Sequence, residues 1–352
     1  MKLKHISCLL ILFVSNLNLH AQIGGSRIYN FLSLPASAVT AGLGGDGVAL
    51  LDADVSQGFT NPALYNPLQN NRIAFHHAFY YTGIDFGSLS FARSFPKKKF
   101  TLGAGLQYIN YGKLPGYNIY GTPLGDFTAG EYALSVAYSQ EIVKNVRAGA
   151  TVKLVSSFLE SYSSFGVAFD AGLVYSDSLG LNSLAISVQN VGRQLSTYSG
   201  NPRESLPLNV KIGFVKKLQN APFRFFVSAQ NLQRFDIQYA DPEAGKVNPL
   251  FGDTASSNAA QSSTGEKIMA HFIIGTELLL GKNLSIRFGY NHLRRQELKL
   301  SSRSGLTGFS FGVGLGIKRF RLDYALSVYH LAGAAHQLGI STNLSEFIPG
   351  LN

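Results

Sequence analysis

Phe311-Gly312-Val313-Gly314-Leu315-Gly316-Ile317-Lys318-Arg319-Phe320-Arg321-Leu322-Asp323-Tyr324-Ala325-Leu326-Ser327-Val328-Tyr329 is the stretch that decides the fold. Phe311, Val313, Leu315 and Ile317 share one face, and Gly312, Gly314, Gly316 and Lys318 share the other, which is the two-residue period of a strand. After the basic turn at Lys318-Arg319, apolar Phe320, Leu322, Tyr324, Leu326 and Val328 alternate with Arg321, Asp323, Ala325 and Ser327. Two strands of about nine residues, apolar on one face and small or polar on the other, match tilted strands crossing a bilayer. The rest of the chain reads as further copies of this hairpin.

Composition agrees. Charged residues make up 14% of the 352 positions, well under the roughly 25% of soluble proteins. No segment reaches the 18 or so apolar residues of a membrane helix, so the apolar content must be spread as alternation. The 37 Gly, 25 Phe and 17 Tyr suit a barrel with aromatic girdles and small residues inside.

Residues 1-21 read as a secretory signal: Lys2 and Lys4, an apolar run from Cys8 to Val14, then Leu19-His20-Ala21. Cys8 stands at the start of the apolar run and not after it, which argues against a lipid anchor there, and beyond it the chain carries no cysteine for a disulfide. The net charge of +10 would suggest nucleic acid in a cytosolic protein. In an exported chain it points instead to anionic lipid, lipopolysaccharide or solvated turns.

Residues 22-70 do not alternate. They are rich in Gly, Ala, Ser, Asp and Pro, and include Gly44-Gly45-Asp46-Gly47 and Asn61-Pro62-Ala63-Leu64. Non-strand backbone is too costly against lipid, so this segment is expected inside the barrel as a plug or hatch with short helical pieces. Residues 71-352 are expected to form the barrel, with fourteen antiparallel strands near 72-80, 84-94, 99-111, 130-140, 146-158, 164-176, 182-191, 207-218, 222-233, 268-280, 283-299, 305-317, 319-330 and 334-342. Every second connection is tight, and the alternate set holds the long ones, 112-129, 192-206 and 234-267. That parity is the short-periplasmic, long-external pattern of outer-membrane barrels, with both barrel ends in the periplasm.

Sites for chemistry are few. Gly42-Leu43-Gly44-Gly45-Asp46-Gly47 fits G-x-G-x-x-G, but no apolar strand precedes it, so the glycines read as turns within the plug. Asp52, Asp54 and Ser56 begin like a calcium loop, yet the glycine arrives late, at Gly58, and the twelfth position lacks a glutamate. The histidines show no metal-ligand spacing, and His76 and His77 must face opposite ways on a strand. No serine sits in a G-x-S-x-G setting, and Ser327 with His330 do not share a strand face, so no catalytic constellation is assigned. Glu131, Asp170, Arg287, Arg321 and Asp323 fall on lumen positions, where they are expected to pair with one another or hold the plug.

Leu34-Pro35-Ala36-Ser37-Ala38, Ala41-Gly42-Leu43-Gly44-Gly45, Asp54-Val55-Ser56 and Asn61-Pro62-Ala63-Leu64 resemble the N-terminal region of the FadL-like fourteen-stranded barrels. The stretches from Tyr80 to Arg93 and from Gly289 to Leu298 resemble the PorQ-like outer-membrane proteins of the Bacteroidota type IX secretion system. This resemblance implies a non-enzymatic barrel without cofactor. It would anchor a PorZ-like surface protein beside the PorU sortase and PorV, in a complex that joins cargo to anionic lipopolysaccharide. Under that reading Gly44, Gly45, Asn61, Pro62 and Ala63 form the plug motif, and the external loops hold the partner, with Gly112, Tyr117, Tyr120, Phe235, Tyr239 and Phe251 as candidate contacts. The alternative is a FadL-like passive transporter of hydrophobic small molecules, with the plug as its gate.

Overall fold

The computed structural model describes residues 27–51, 54–200, 202–237, 263–298, 305–330 and 333–348. Its strands are β1 (Arg72–Phe79), β2 (Asp85–Phe95), β3 (Phe100–Tyr117), β4 (Pro123–Val143), β5 (Val146–Leu159), β6 (Tyr162–Ser176) and β7 (Asn182–Ser196). They continue with β8 (Asn209–Lys217), β9 (Phe223–Ala229), β10 (Phe272–Leu280), β11 (Leu284–Asn291), β12 (Phe309–Ile317), β13 (Phe320–His330) and β14 (Gly333–Asn343). Each pairs antiparallel with its sequence neighbours, and β1 closes on β14 from Arg72↔Asn343 to Phe79↔His336. Closure removes every open sheet edge, as a lipid environment demands.

The hairpin read first is β12–β13, in register from Ile317↔Phe320 through Gly312↔Ala325. Its Val313, Leu315, Leu322 and Tyr324 are exposed on the outer wall, while Gly312, Gly314, Asp323 and Ala325 are buried within. The same alternation runs around the barrel and gives an outer surface of Phe, Leu, Ile, Val and Tyr suited to lipid. Near the tight turns, Phe95 stacks on Phe100 (4.7 Å between centroids) and Phe100 on Tyr138 (5.4 Å), placing aromatic rings at one rim.

Residues 27–51 and 54–70 fill the lumen. They hold a short helix α1 (Ala38–Gly42), capped by Ser37, and 3₁₀ turns at Asn30–Ser33, Val55–Phe59, Pro62–Leu64 and Pro67–Gln69. Asp54, Asn61 and Asn66 each cap the turn that follows by accepting a backbone N–H, so short polar side chains replace the missing ladder bonds.

Several expected boundaries are corrected. Residues 112-129 are not a long loop: β3 and β4 extend through most of it and meet in a tight turn, because Leu114 pairs with Phe127 and Tyr117 with Pro123. Likewise β7 continues to Ser196 through an irregularity near Gln189 and Asn190 that a strict two-residue period does not anticipate. On the same side, β9 stops at Ala229, β10 begins only at Phe272 after helix α2 (Thr264–Ala270), and β11 stops at Asn291, where helix α3 (His292–Leu298) follows. Tyr239 and Phe251 lie outside the described residues.

Candidate functional site

The seam between plug and wall is built by pairing bulk on one side with its absence on the other. Gly42 of α1 lies against Gly312, where a Cβ on either residue would fall 3.1–3.3 Å from the other's Cα. Tyr65 fills the space over Gly58 and Gly103, Phe59 lies over Gly105, and Asn61 reaches the wall at Gly172. Glycines on lumen positions thus serve as sockets for plug side chains. Of the plug motif, Gly44 and Gly45 carry φ of 97° and 106°, conformations that favour glycine. The G-x-G-x-x-G match is therefore a turn after a helix, with Asn291 Nδ2 donating to Gly44 O at 3.2 Å.

Asn61 is fully buried and joins three segments. Its Oδ1 accepts the Ala63 N–H (3.0 Å), while Nδ2 donates to Val48 O (3.0 Å) in the plug and to Leu173 O (3.4 Å) and Ile186 O (3.5 Å) in the wall. Pro62 lies against Gly149 of β5. Gly44, Gly45, Asn61, Pro62 and Ala63 thus occupy two separate parts of the seam, the first pair near β10–β11 and the other three near β5–β7.

A second anchor joins Asp54 to β1. The Nδ1 of His76 accepts the Ala38 N–H (3.2 Å), which places the ring proton on Nε2, 3.0 Å from Asp54 Oδ2. Asp54 Oδ1 accepts the Ser56 N–H at 2.7 Å, so the carboxylate read as the start of a calcium loop is committed to a turn and a histidine. His77 points outward, as expected, with Nδ1 2.7 Å from Tyr108 Oη. Burial pushes the Tyr65 phenol well above its ordinary range, assisted by the charges of Asp54 and Asp170, and burial pushes Tyr29 up to about 12.

Buried charges are paired across strands. Arg287 Nε donates to Glu277 Oε1 (2.8 Å) and its Nη1 to Asp323 Oδ1 (2.7 Å); Arg224 also binds Glu277, and Arg321 Nε donates to Asp323 Oδ2 (3.2 Å). Lys153 meets Asp170 at 2.7 Å and Asn190 Oδ1 at 2.9 Å, at the irregularity in β7, where Asn190 has φ 58°. Lys211 reaches Asp46 of the plug at 3.3 Å. Glu131 differs from the expected pairing: its partners are the hydroxyls of Ser157 (3.2 Å) and Tyr111. The sequence flagged Glu131, Asp170, Asp323, Arg287 and Arg321, but not Lys153, Arg224 or Glu277, whose pairing follows from the register of neighbouring strands. Tighter use of lumen parity on β5, β9 and β10 would have marked them.

At the rim opposite the short turns, the β3–β4 hairpin is held at its tip by Asn118, whose Oδ1 accepts the N–H groups of Tyr120 and Thr122 at 2.9 Å each. Ile119 is 91% exposed and Tyr120 86% exposed; Tyr117 and Leu124 are exposed beside them. Gly112 lies below, at φ 74°, where the register shifts. Phe235 is on a different part of this rim, near α2, where Lys267 pairs with Asp236 at 2.6 Å and His271 contacts Phe235 O at 3.2 Å. Gly112, Tyr117 and Tyr120 therefore share one element, and Phe235 belongs to another.

No family model matches the chain, and no curated protein matches its sequence. Its fold does match solved structures. A deletion mutant of the TodX monoaromatic hydrocarbon channel superposes with TM-score 0.53 and 12% identity, covering 88% of this chain and 98% of that one. The Pseudomonas putida toluene transporter TodX gives 0.50 and 12%, covering 88% and 96%. A Pseudomonas aeruginosa FadL homologue gives 0.49 at 11% identity, covering 88% of this chain and 98% of that one. The likeness to TodX is one of fold: a closed antiparallel β-barrel.

Proposed function

We propose that this chain is a passive outer-membrane channel for hydrophobic small molecules, gated by its plug, with both ends of the barrel in the periplasm. What carries the reading is the fold shared with TodX over nearly the whole of that chain, together with a lumen filled by plug residues. The nature of the seam supports it. Among the described residues the plug meets the wall through side chains and glycine sockets, and its ladder contact is the single parallel bridge Arg27↔Ser205. A segment held this way shifts without breaking the ladder that closes the barrel. The test is entry of toluene into proteoliposomes. The wild type is expected to accelerate it over empty vesicles, and Asn61→Ala with Pro62→Ala to stop it while the barrel still shows heat-modifiable migration. Equal rates with and without protein would refute the channel.

One observation favours a second reading, that the barrel anchors a surface protein. The tip of the β3–β4 hairpin exposes Ile119, Tyr120, Tyr117 and Leu124 together, an apolar group at the end of the two longest strands among the described residues. In the secretion-complex reading it would hold a PorZ-like protein, with the PorU sortase, PorV and lipopolysaccharide nearby. Affinity purification from detergent-solubilised outer membranes decides it: a near-stoichiometric surface protein lost on Ile119→Ser/Tyr120→Ser supports anchoring, and a barrel purified alone removes it.

A further inference from the structure

At the short-turn end a cavity of about 690 Å³ opens between the plug and the wall of β8 to β11, β13 and β1, within the size range of small-molecule sites. Six cationic side chains line it, Arg72, Lys217, Arg224, Lys282, Arg287 and Arg321, against the carboxylates of Asp54 and Glu277. Asp323, behind Arg287 and Arg321, brings a third carboxylate, so positive charges exceed negative ones by three. The pairing sorts these groups. Glu277 and Asp323 hold Arg224, Arg287 and Arg321, and Asp54 faces His76. Arg72, Lys217 and Lys282 form no ion pair among the described residues, and the buried Nε of Arg72 has no hydrogen-bond partner.

Three unneutralised cations around one concave space form a receptor for a multiply charged oxyanion. We propose that this vestibule binds a small water-soluble phosphate monoester. A phosphate dianion offers enough acceptors for Arg72 and both lysines at once, whereas a monocarboxylate leaves most of the excess charge unmatched. Val39, Leu279 and Pro222 supply apolar surface for the organic part of the ester. Because Val39 and Asp54 belong to the plug and the other residues to the wall, the ligand lies on the seam and its binding stabilises the plugged state. The proposal does not depend on the transport reading.

The test is calorimetric titration of the full chain, in an uncharged detergent at about 0.15 M salt, with glycerol 3-phosphate. Inorganic phosphate and glycerol serve as companion probes. Saturable binding of the ester is expected, with weaker binding of inorganic phosphate and none of glycerol. Lys217→Ala/Lys282→Ala, at the end of β8 and in the β10–β11 turn, is expected to weaken binding about tenfold or more, and Lys282→Glu to weaken it further. Lys97→Ala/Lys98→Ala, at a turn on the same rim but outside the cavity, is expected to leave it unchanged. Absence of saturable binding by the wild type, or equal binding by the Lys217/Lys282 variant, would overturn the proposal. So would an equal loss in the Lys97/Lys98 variant, which would indicate nonspecific attraction to a basic rim.

Discussion

Arg287 is 1% exposed and bonds Glu277 on the adjacent β10 and Asp323 on β13, two strands away. Removing it leaves Glu277 with Arg224 alone and Asp323 with the more exposed Arg321. Breaking a buried charge network from one side costs about 3–5 kcal/mol, more than the pair itself contributes, because the remaining charge stays desolvated. Arg287→Met is therefore expected to lower the urea midpoint of the detergent-folded barrel strongly. Adding Asp323→Asn should recover part of the loss; a more damaging double variant would contradict this account. Gly339 poses the steric counterpart. A Cβ there would enter the His76 ring, so Gly339→Ala is expected to destabilise by about 1–3 kcal/mol. His76→Ala in the same background should relieve much of that strain, as a double-mutant cycle would show.

At the scale of elements, the β3–β4 hairpin separates into two parts at Gly112. Below it the strands carry the lipid-facing alternation; above it Lys113 pairs with Thr128 in a shifted register and most side chains are exposed. Local stability follows from how much apolar surface a segment buries. Replacing residues 114–127 by a two-residue turn is accordingly expected to leave the unfolding midpoint nearly unchanged, while removing whatever binds the tip. A substantial drop in the midpoint would show that the extension supports the barrel. The periplasm-facing turns proposed here are more tightly specified: at β6–β7, Asp177 accepts from the Leu181 N–H (2.7 Å) and from Asn182 Nδ2 (2.6 Å). The Asn182 bond, with backbone N–H groups behind it, holds the Asp177 carboxyl below its ordinary range.

For the whole molecule, the question is whether the plug must move. Ser56 of the plug and Ser90 of β2 have hydroxyls 2.7 Å apart, close enough for their positions to accept a disulfide. The chain has a single cysteine, Cys8, so Ser56→Cys/Ser90→Cys introduces the pair without competitors in residues 22–352. Under the channel reading, oxidation should block toluene entry and reduction restore it. Unchanged entry in the fully oxidised protein would show that this part of the plug stays fixed during passage. The surface-anchor reading predicts that partner retention is indifferent to the redox state.

What the sequence by itself determined is the wall. Alternation at Phe311–Ile317 and Phe320–Val328 is a local property imposed by lipid on one side and plug on the other, so strand number, hairpin order and turn parity are legible residue by residue. The non-alternating segment before Arg72 was equally visible as material that lipid would not accept. Tertiary structure alone decided what meets inside. Asp54 finds His76, Lys211 finds Asp46, and Gly42 finds Gly312 because closure brings separate strands and a threaded plug around one axis, and nothing in a two-residue period encodes those distances. It also turned the expected 112-129 loop into a raised hairpin, since Leu114, Pro115 and Tyr117 interrupt the alternation yet still pair across it. The unpaired cations of the short-turn vestibule come together for the same reason: Arg72 begins β1, Lys217 ends β8 and Lys282 lies in the β10–β11 turn, and only the closed barrel makes them neighbours of one cavity.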